Sequence, residues 1–105
     1  MKLECRCGHV ILDNRDYLSN KAHVIPDQLW LDLLDAIDAA IENPGGTDKA
    51  RETACMSVRK KLNDSQQTTW QCEACGRLYI DDKQGRTQSF DPTDEGASAR
   101  IFCRF

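Results

Sequence analysis

From Pro26 to Glu42 the apolar residues Trp30, Leu33, Leu34, Ile37 and Ile41 recur at i, i+3, i+4, i+7 and i+11, which is one face of an α-helix. Pro26 suits the first turn, Asp27 is favourable beside the positive helix end, and Asn43-Pro44-Gly45-Gly46 stops the run. A second helix is predicted from Thr47 as N-cap to about Leu62. Its narrow apolar side is Ala50, Ala54, Val58 and Leu62, with Cys55 beside it. Two helices joined by so short a turn pack as an antiparallel hairpin.

Outside the helices the pattern is of short strands around turns. Leu3 to Cys5 and Val10 to Leu12 flank the tight segment Cys5-Arg6-Cys7-Gly8-His9, and Gly8 admits the positive φ of a close turn. Thr69 to Cys72 and Arg77 to Ile80 flank a second such knuckle, Cys72-Glu73-Ala74-Cys75-Gly76. Further strands are expected around Arg86 to Phe90 and Arg100 to Phe105, with loops at 13–22, 63–68 and 91–98. The fold class that follows is α+β: a zinc ribbon, two cysteine knuckles on short antiparallel strands, with an inserted two-helix hairpin. A single domain over residues 1–105 is expected, with the insert at about 26–62.

Composition narrows the function classes. The apolar-rich stretch Val24 to Ile41 is broken by Asp27, Asp32, Asp35 and Asp38, so it does not read as a membrane span. Met1 to Cys7 lacks the apolar core and cleavage site of a secretory signal, which predicts a cytoplasmic chain. In that reducing compartment six cysteines read as metal ligands or buried thiols rather than disulfides. The formal net charge is −3, and four thiolates around a dication would make the chain more acidic by two further charges. Such a balance disfavours nucleic acid and suits a basic protein partner.

The chemistry lies in the cysteine spacing. Cys5-x-Cys7-Gly8 and Cys72-x-x-Cys75-Gly76 each offer two thiolates, and together they complete the tetrahedral shell of one structural Zn²⁺. Each doubling of the loop between them costs only about 0.6 kcal/mol, against roughly 10–16 kcal/mol of apparent binding free energy for a structural zinc. The competing redox reading of Cys72 and Cys75 wants a helix after the pair, whereas Gly76 to Ile80 reads as strand. Cys55 and Cys103 are expected to be buried small hydrophobes; His9 or His23 could replace a cysteine in the shell, but His9, only two residues after Cys7, reads better as a surface or hydrogen-bonded residue near the metal. Four thiolates close the shell to substrate, and no zinc-protease, deaminase, phosphate-loop or nucleophile-elbow motif accompanies them, so no enzyme activity is expected.

Two surfaces remain as candidates for binding. Asp32, Asp35, Asp38 and Glu42 form a stripe opposite the core side of the first helix, which reads first as a solvated face. The competing functional reading is a docking surface for a basic partner, with Leu31 within the stripe as its apolar anchor. The alternative is a nucleic-acid surface of Arg77, Tyr79, Lys83, Arg86 and Phe90, weakened by the interleaved Asp81 and Asp82; Tyr79 and Phe90 read better as core.

The series Cys5-x-Cys7-Gly8, Lys21-Ala22-His23, an acidic helix, and Cys72-x-x-Cys75-Gly76-Arg77-Leu78-Tyr79-Ile80-Asp81-Asp82 resembles small bacterial zinc-ribbon proteins. Some of these resemble immunity proteins encoded beside polymorphic toxins of the Rhs or contact-dependent kind. The resemblance implies a non-catalytic protein that neutralises a cognate toxin by occluding its active site or its target surface. The runner-up function is a zinc-ribbon nucleic-acid-binding or transcription accessory protein, and a third is a structural subunit of a larger assembly.

Overall fold

The structure is a computed structural model that describes residues 1–105. Strands β1 (Lys2–Glu4) and β2 (Val10–Leu12) form an antiparallel hairpin with Leu3 opposite Ile11. The second sheet runs in the order β3 (Lys21–Val24), β4 (Gln67–Gln71), β5 (Leu78–Asp81), β6 (Thr87–Phe90), antiparallel throughout. Helices α1 (Asp27–Glu42) and α2 (Asp48–Ser65) lie between β3 and β4 in sequence and pack together. This is the α+β arrangement of a zinc ribbon with an inserted helical hairpin.

The chain divides into two compact units, Met1–Val24 with Gln67–Phe105, and Ile25–Gln66. In the first, Val24 and Gln67 are register partners across β3 and β4, so the insert leaves and returns at neighbouring points of one sheet. That pairing solves the loop-closure problem posed by the distance between the cysteine pairs. The expected loop holds over residues 13–20, but its last two residues, Lys21 and Ala22, begin β3, a strand too short to show a period. Its partner in β4 lies far along the chain, so its pairing is a tertiary event.

The core of this unit is Cys5, Ile11, Trp70, Cys72 and Tyr79, with Leu3 and Cys75 packed against it. Two of its members, Cys5 and Cys72, are knuckle cysteines and a third, Cys75, packs against it, so core and knuckles are one structure. Asp13 joins the two sheets: its carboxylate accepts from Trp70 Nε1 at 3.0 Å and pairs with Lys21 Nζ at 2.8 Å. Buried Gln71 donates to the carbonyls of Gly76 and Ser98 and accepts from the backbone N–H of Ile101. By taking up that N–H, Gln71 holds residues 98–101 against the second knuckle. The expected strand from Arg100 to Phe105 is instead turn and irregular chain. Phe90 also departs from expectation, being exposed on the outermost strand while Tyr79 is buried.

In the second unit Thr47 caps α2 as expected, its hydroxyl accepting from the Ala50 N–H at 3.1 Å. Pro26 stands at the N-cap position of α1 and Asp27 opens the helix. α2 runs on to Ser65 rather than giving way to a loop at 63. Lys60 pairs with Asp64 at 2.7 Å, one turn on, and Ser65 Oγ donates to the Lys61 carbonyl, which carries the helix through this polar stretch. Leu33 is the one apolar side chain of the two helices that is fully buried. No helix is long and apolar enough to cross a membrane.

Candidate metal centre

Each cysteine pair is shaped by its own backbone turn. In the first knuckle the Cys5 N–H donates to the His9 carbonyl at 2.8 Å and the Gly8 N–H to the Cys5 carbonyl at 2.9 Å. The second repeats the scheme one residue longer, from Cys72 N–H to Arg77 carbonyl at 2.9 Å and from Gly76 N–H to Cys72 carbonyl at 2.8 Å. The extra residue matches the two-residue spacer of Cys72 and Cys75 against the single one of Cys5 and Cys7. Gly8 and Gly76 hold φ of 95° and 84°, the left-handed region open to glycine at little cost.

The four sulfurs all lie within 4.8 Å of one another. Cys5 Sγ is 3.6 Å from Cys75 Sγ, and Cys7 Sγ is 3.5 Å from Cys72 Sγ. These separations are far from the disulfide length of about 2.05 Å. They are close to the edge, about 3.8 Å, of a tetrahedron with metal–sulfur bonds of about 2.3 Å. The cluster can therefore coordinate a metal ion with each knuckle supplying two thiolates. Cys5 and Cys72 are buried, Cys75 is half-buried and Cys7 is exposed.

The electrostatics fit a cation. Burial opposes ionisation of Cys5, yet the neighbouring Tyr79 hydroxyl and the donors of the first knuckle bring its thiol down to about 6. Burial pushes the Cys72 thiol up to about 12, with contributions from neighbouring Cys7 and Cys5. At Cys75 a hydrogen bond from the Arg77 backbone favours the thiolate, but burial and Cys5 outweigh it and the thiol is raised. Four sulfurs this close cannot all be anionic by themselves, and a divalent ion at their centre removes that conflict. Two neighbours add to the case. Arg77 Nη1 donates to Cys5 Sγ at 3.4 Å while its Nε donates to the Asp91 carboxylate, which fixes the guanidinium. The Tyr79 hydroxyl is buried without a regular hydrogen bond, and a metal-bound Cys5 thiolate is an acceptor for it.

Cys55 is exposed on α2 and Cys103 is half-buried near the end of the chain, so neither is the fully buried small hydrophobe expected. His9 is exposed on the first knuckle and His23 lies on β3; neither belongs to the sulfur cluster. Leu31, Asp32, Asp35, Asp38 and Glu42 are all exposed on α1, and Leu31 keeps 69% of its surface in solvent. Sequence reasoning missed Arg77 as a neighbour of the thiolate and Asp91 as its anchor, because that triangle spans both sheets and the loop after β6. The position of Arg77 directly after the Cys-x-x-Cys-Gly turn was the available signal.

A family model described as Domain of unknown function (DUF8617) matches residues 1–96. No curated protein and no solved structure matches the chain.

Proposed function

Since the chain belongs to the DUF8617 family, whose description names no activity, we propose from its own residues that it is a zinc-stabilised, non-catalytic module that binds a basic protein. Cys5, Cys7, Cys72 and Cys75 hold one Zn²⁺ in a closed shell, with Arg77 and Tyr79 partly offsetting the charge on Cys5. The observation that carries the reading is the pair of sulfur separations, 3.5 and 3.6 Å, near the tetrahedral edge and between two independently formed turns. Four protein ligands leave no open position for substrate, so the metal acts on folding and not on chemistry. Residues 1–105 act as one zinc-ribbon domain whose insert, about 26–62, carries the recognition surface. The thiolates require a reducing compartment, which suits the cytoplasm.

The partner surface is the outer side of α1. This helix carries five carboxylates and no base, and Leu31 stands exposed among Asp32, Asp35, Asp38 and Glu42. An acidic face around an apolar anchor accelerates encounter with a basic protein and sets its register. With the resemblance to immunity proteins, the partner of choice is the basic toxin domain of a polymorphic toxin encoded next to this chain.

Metal analysis by mass spectrometry of protein purified without added metal should return about one zinc per chain, and a fully folded, metal-free chain refutes the centre. Asp35→Lys with Asp38→Lys should slow association with the toxin domain at least about tenfold while leaving zinc content unchanged; an unaltered on-rate assigns the stripe to solvent. Binding to single- or double-stranded nucleic acid at about 150 mM salt should be negligible, and micromolar affinity there would favour the transcription accessory role.

A further inference from the structure

The helical hairpin has an apolar side that its own packing covers only in part, leaving Leu34 and Ile37 half-buried and Trp30, Ile41 and Leu62 exposed. At about 100° per residue, α1 turns Leu33 towards α2, and Ile37, Trp30, Ile41 and Leu34 follow within about the next 100° of its circumference. On α2 the inward residues Ala54 and Val58 are followed in the same rotational sense by Leu62 and Cys55. In two antiparallel right-handed helices, the same sense of rotation away from the contact line leads to the same side of the pair. One face of the hairpin therefore carries both series, with Trp30 level with Leu62 and Ile37 level with Cys55. Ile41 is 73% exposed, Trp30 45% and Leu62 44%. A pair of helices with one fully buried apolar side chain has too little core of its own and needs this face covered.

Charge identifies the cover. α1 bears five acids and no base, whereas α2 bears five bases and three acids. Two hairpins can stack these faces about a twofold axis in two ways. An axis running across the helices sets α1 on α1 and α2 on α2, like charge on like. An axis parallel to the helices sets α1 of each copy on α2 of the other, opposite charge on opposite, with Trp30 over Leu62 and Ile37 over Cys55. We propose that the chain dimerises through the hairpin face of Trp30, Leu34, Ile37, Ile41 and Leu62, as a four-helix bundle in which each α1 lies against the partner's α2. Asp38, about 40° beyond Leu34, flanks this face, whereas Leu31, Asp35 and Asp32 lie about 60°, 100° and 160° beyond it on the outer edge of α1; the dimer does not depend on the toxin-binding reading.

Sedimentation velocity and light scattering of the full zinc-loaded chain test the proposal. The wild type should run as a dimer at about 50 µM and dissociate on dilution. Ile41→Asp and Trp30→Asp each place a carboxylate in the seam and should raise the dimer dissociation constant at least about tenfold. Leu31→Asp, on the outer edge of α1 about 100° round from Trp30, should leave it unchanged. Unaltered circular dichroism and zinc content confirm that the variants fold, and Ile41, mostly in solvent, is the safer of the two positions. Arg59→Glu adds an acid to α2 and should weaken the dimer, with partial recovery on mixing with Asp38→Lys. A wild type that stays monomeric at about 100 µM overturns the proposal, whether another protein or the chain's own sheet covers the face. So does a dimer indifferent to Ile41→Asp and Trp30→Asp.

Discussion

Arg77 is the residue on which the metal centre and its surroundings meet. Its guanidinium spans Cys5 Sγ and the Asp91 carboxylate, and that ion pair holds the Asp91 carboxyl below its usual range. Replacing Arg77 by alanine should leave one zinc per chain but weaken its affinity about tenfold, read by competition with a chromophoric chelator. Asp13 acts at the same scale in joining the sheets. The hydrogen bond from Lys21, against the cost of burial and with help from Trp70, holds its carboxyl below the ordinary value. A depressed carboxyl stabilises the fold above the unfolded value of about 3.9, and the contribution is lost as pH falls through the folded value. Asp13→Asn should therefore cost about 1–3 kcal/mol in urea unfolding, and by the same amount at about pH 7 and about pH 5.5. A gap that closes between those two pH values would contradict this origin.

At the scale of elements, each knuckle is a turn whose glycine position is set by hydrogen bonding and whose cysteines follow from it. Gly76 is buried, and a Cβ there would lie 3.4 Å from Pro92 Cγ and 3.6 Å from Ala99 Cα. These are ordinary contact distances, so Gly76→Ala should lower the thermal midpoint through its left-handed backbone, φ 84°, and with it loosen the segment held by Gln71. Calorimetry reads the first effect and hydrogen exchange at Ile101 the second. In the helical hairpin the Thr47 cap is the local determinant of where α2 begins, and Thr47→Ala should cost about 1 kcal/mol of stability without altering zinc content.

For the whole molecule, the sulfurs belong to the core of the sheet unit, so removing the metal should remove the core. Trp70 lies in that core and Trp30 on the helical insert, which permits a clean readout. In a Trp30→Phe background, chelation should shift Trp70 emission to the red and abolish cooperative melting, and zinc should restore both. Unchanged emission under chelation would mean that apolar packing alone suffices.

Spacing alone made much of this legible. The four cysteines, the two helices, the Thr47 cap and the paired turns are all local patterns of 3 to 5 residues or helical repeats, for which backbone hydrogen bonding leaves few alternatives. Decisions between distant segments were not legible. β3 exists because Lys21 to Val24 finds β4, and the end of the chain turns because Gln71 takes the Ile101 N–H that a strand would have used. α1 buries Leu33 and leaves Trp30 and Ile41 in solvent although all three share one periodic stripe. A repeat of 3.6 residues states that a face is apolar. Which part of that face is covered depends on the neighbour's size and position, and only the folded chain decides that.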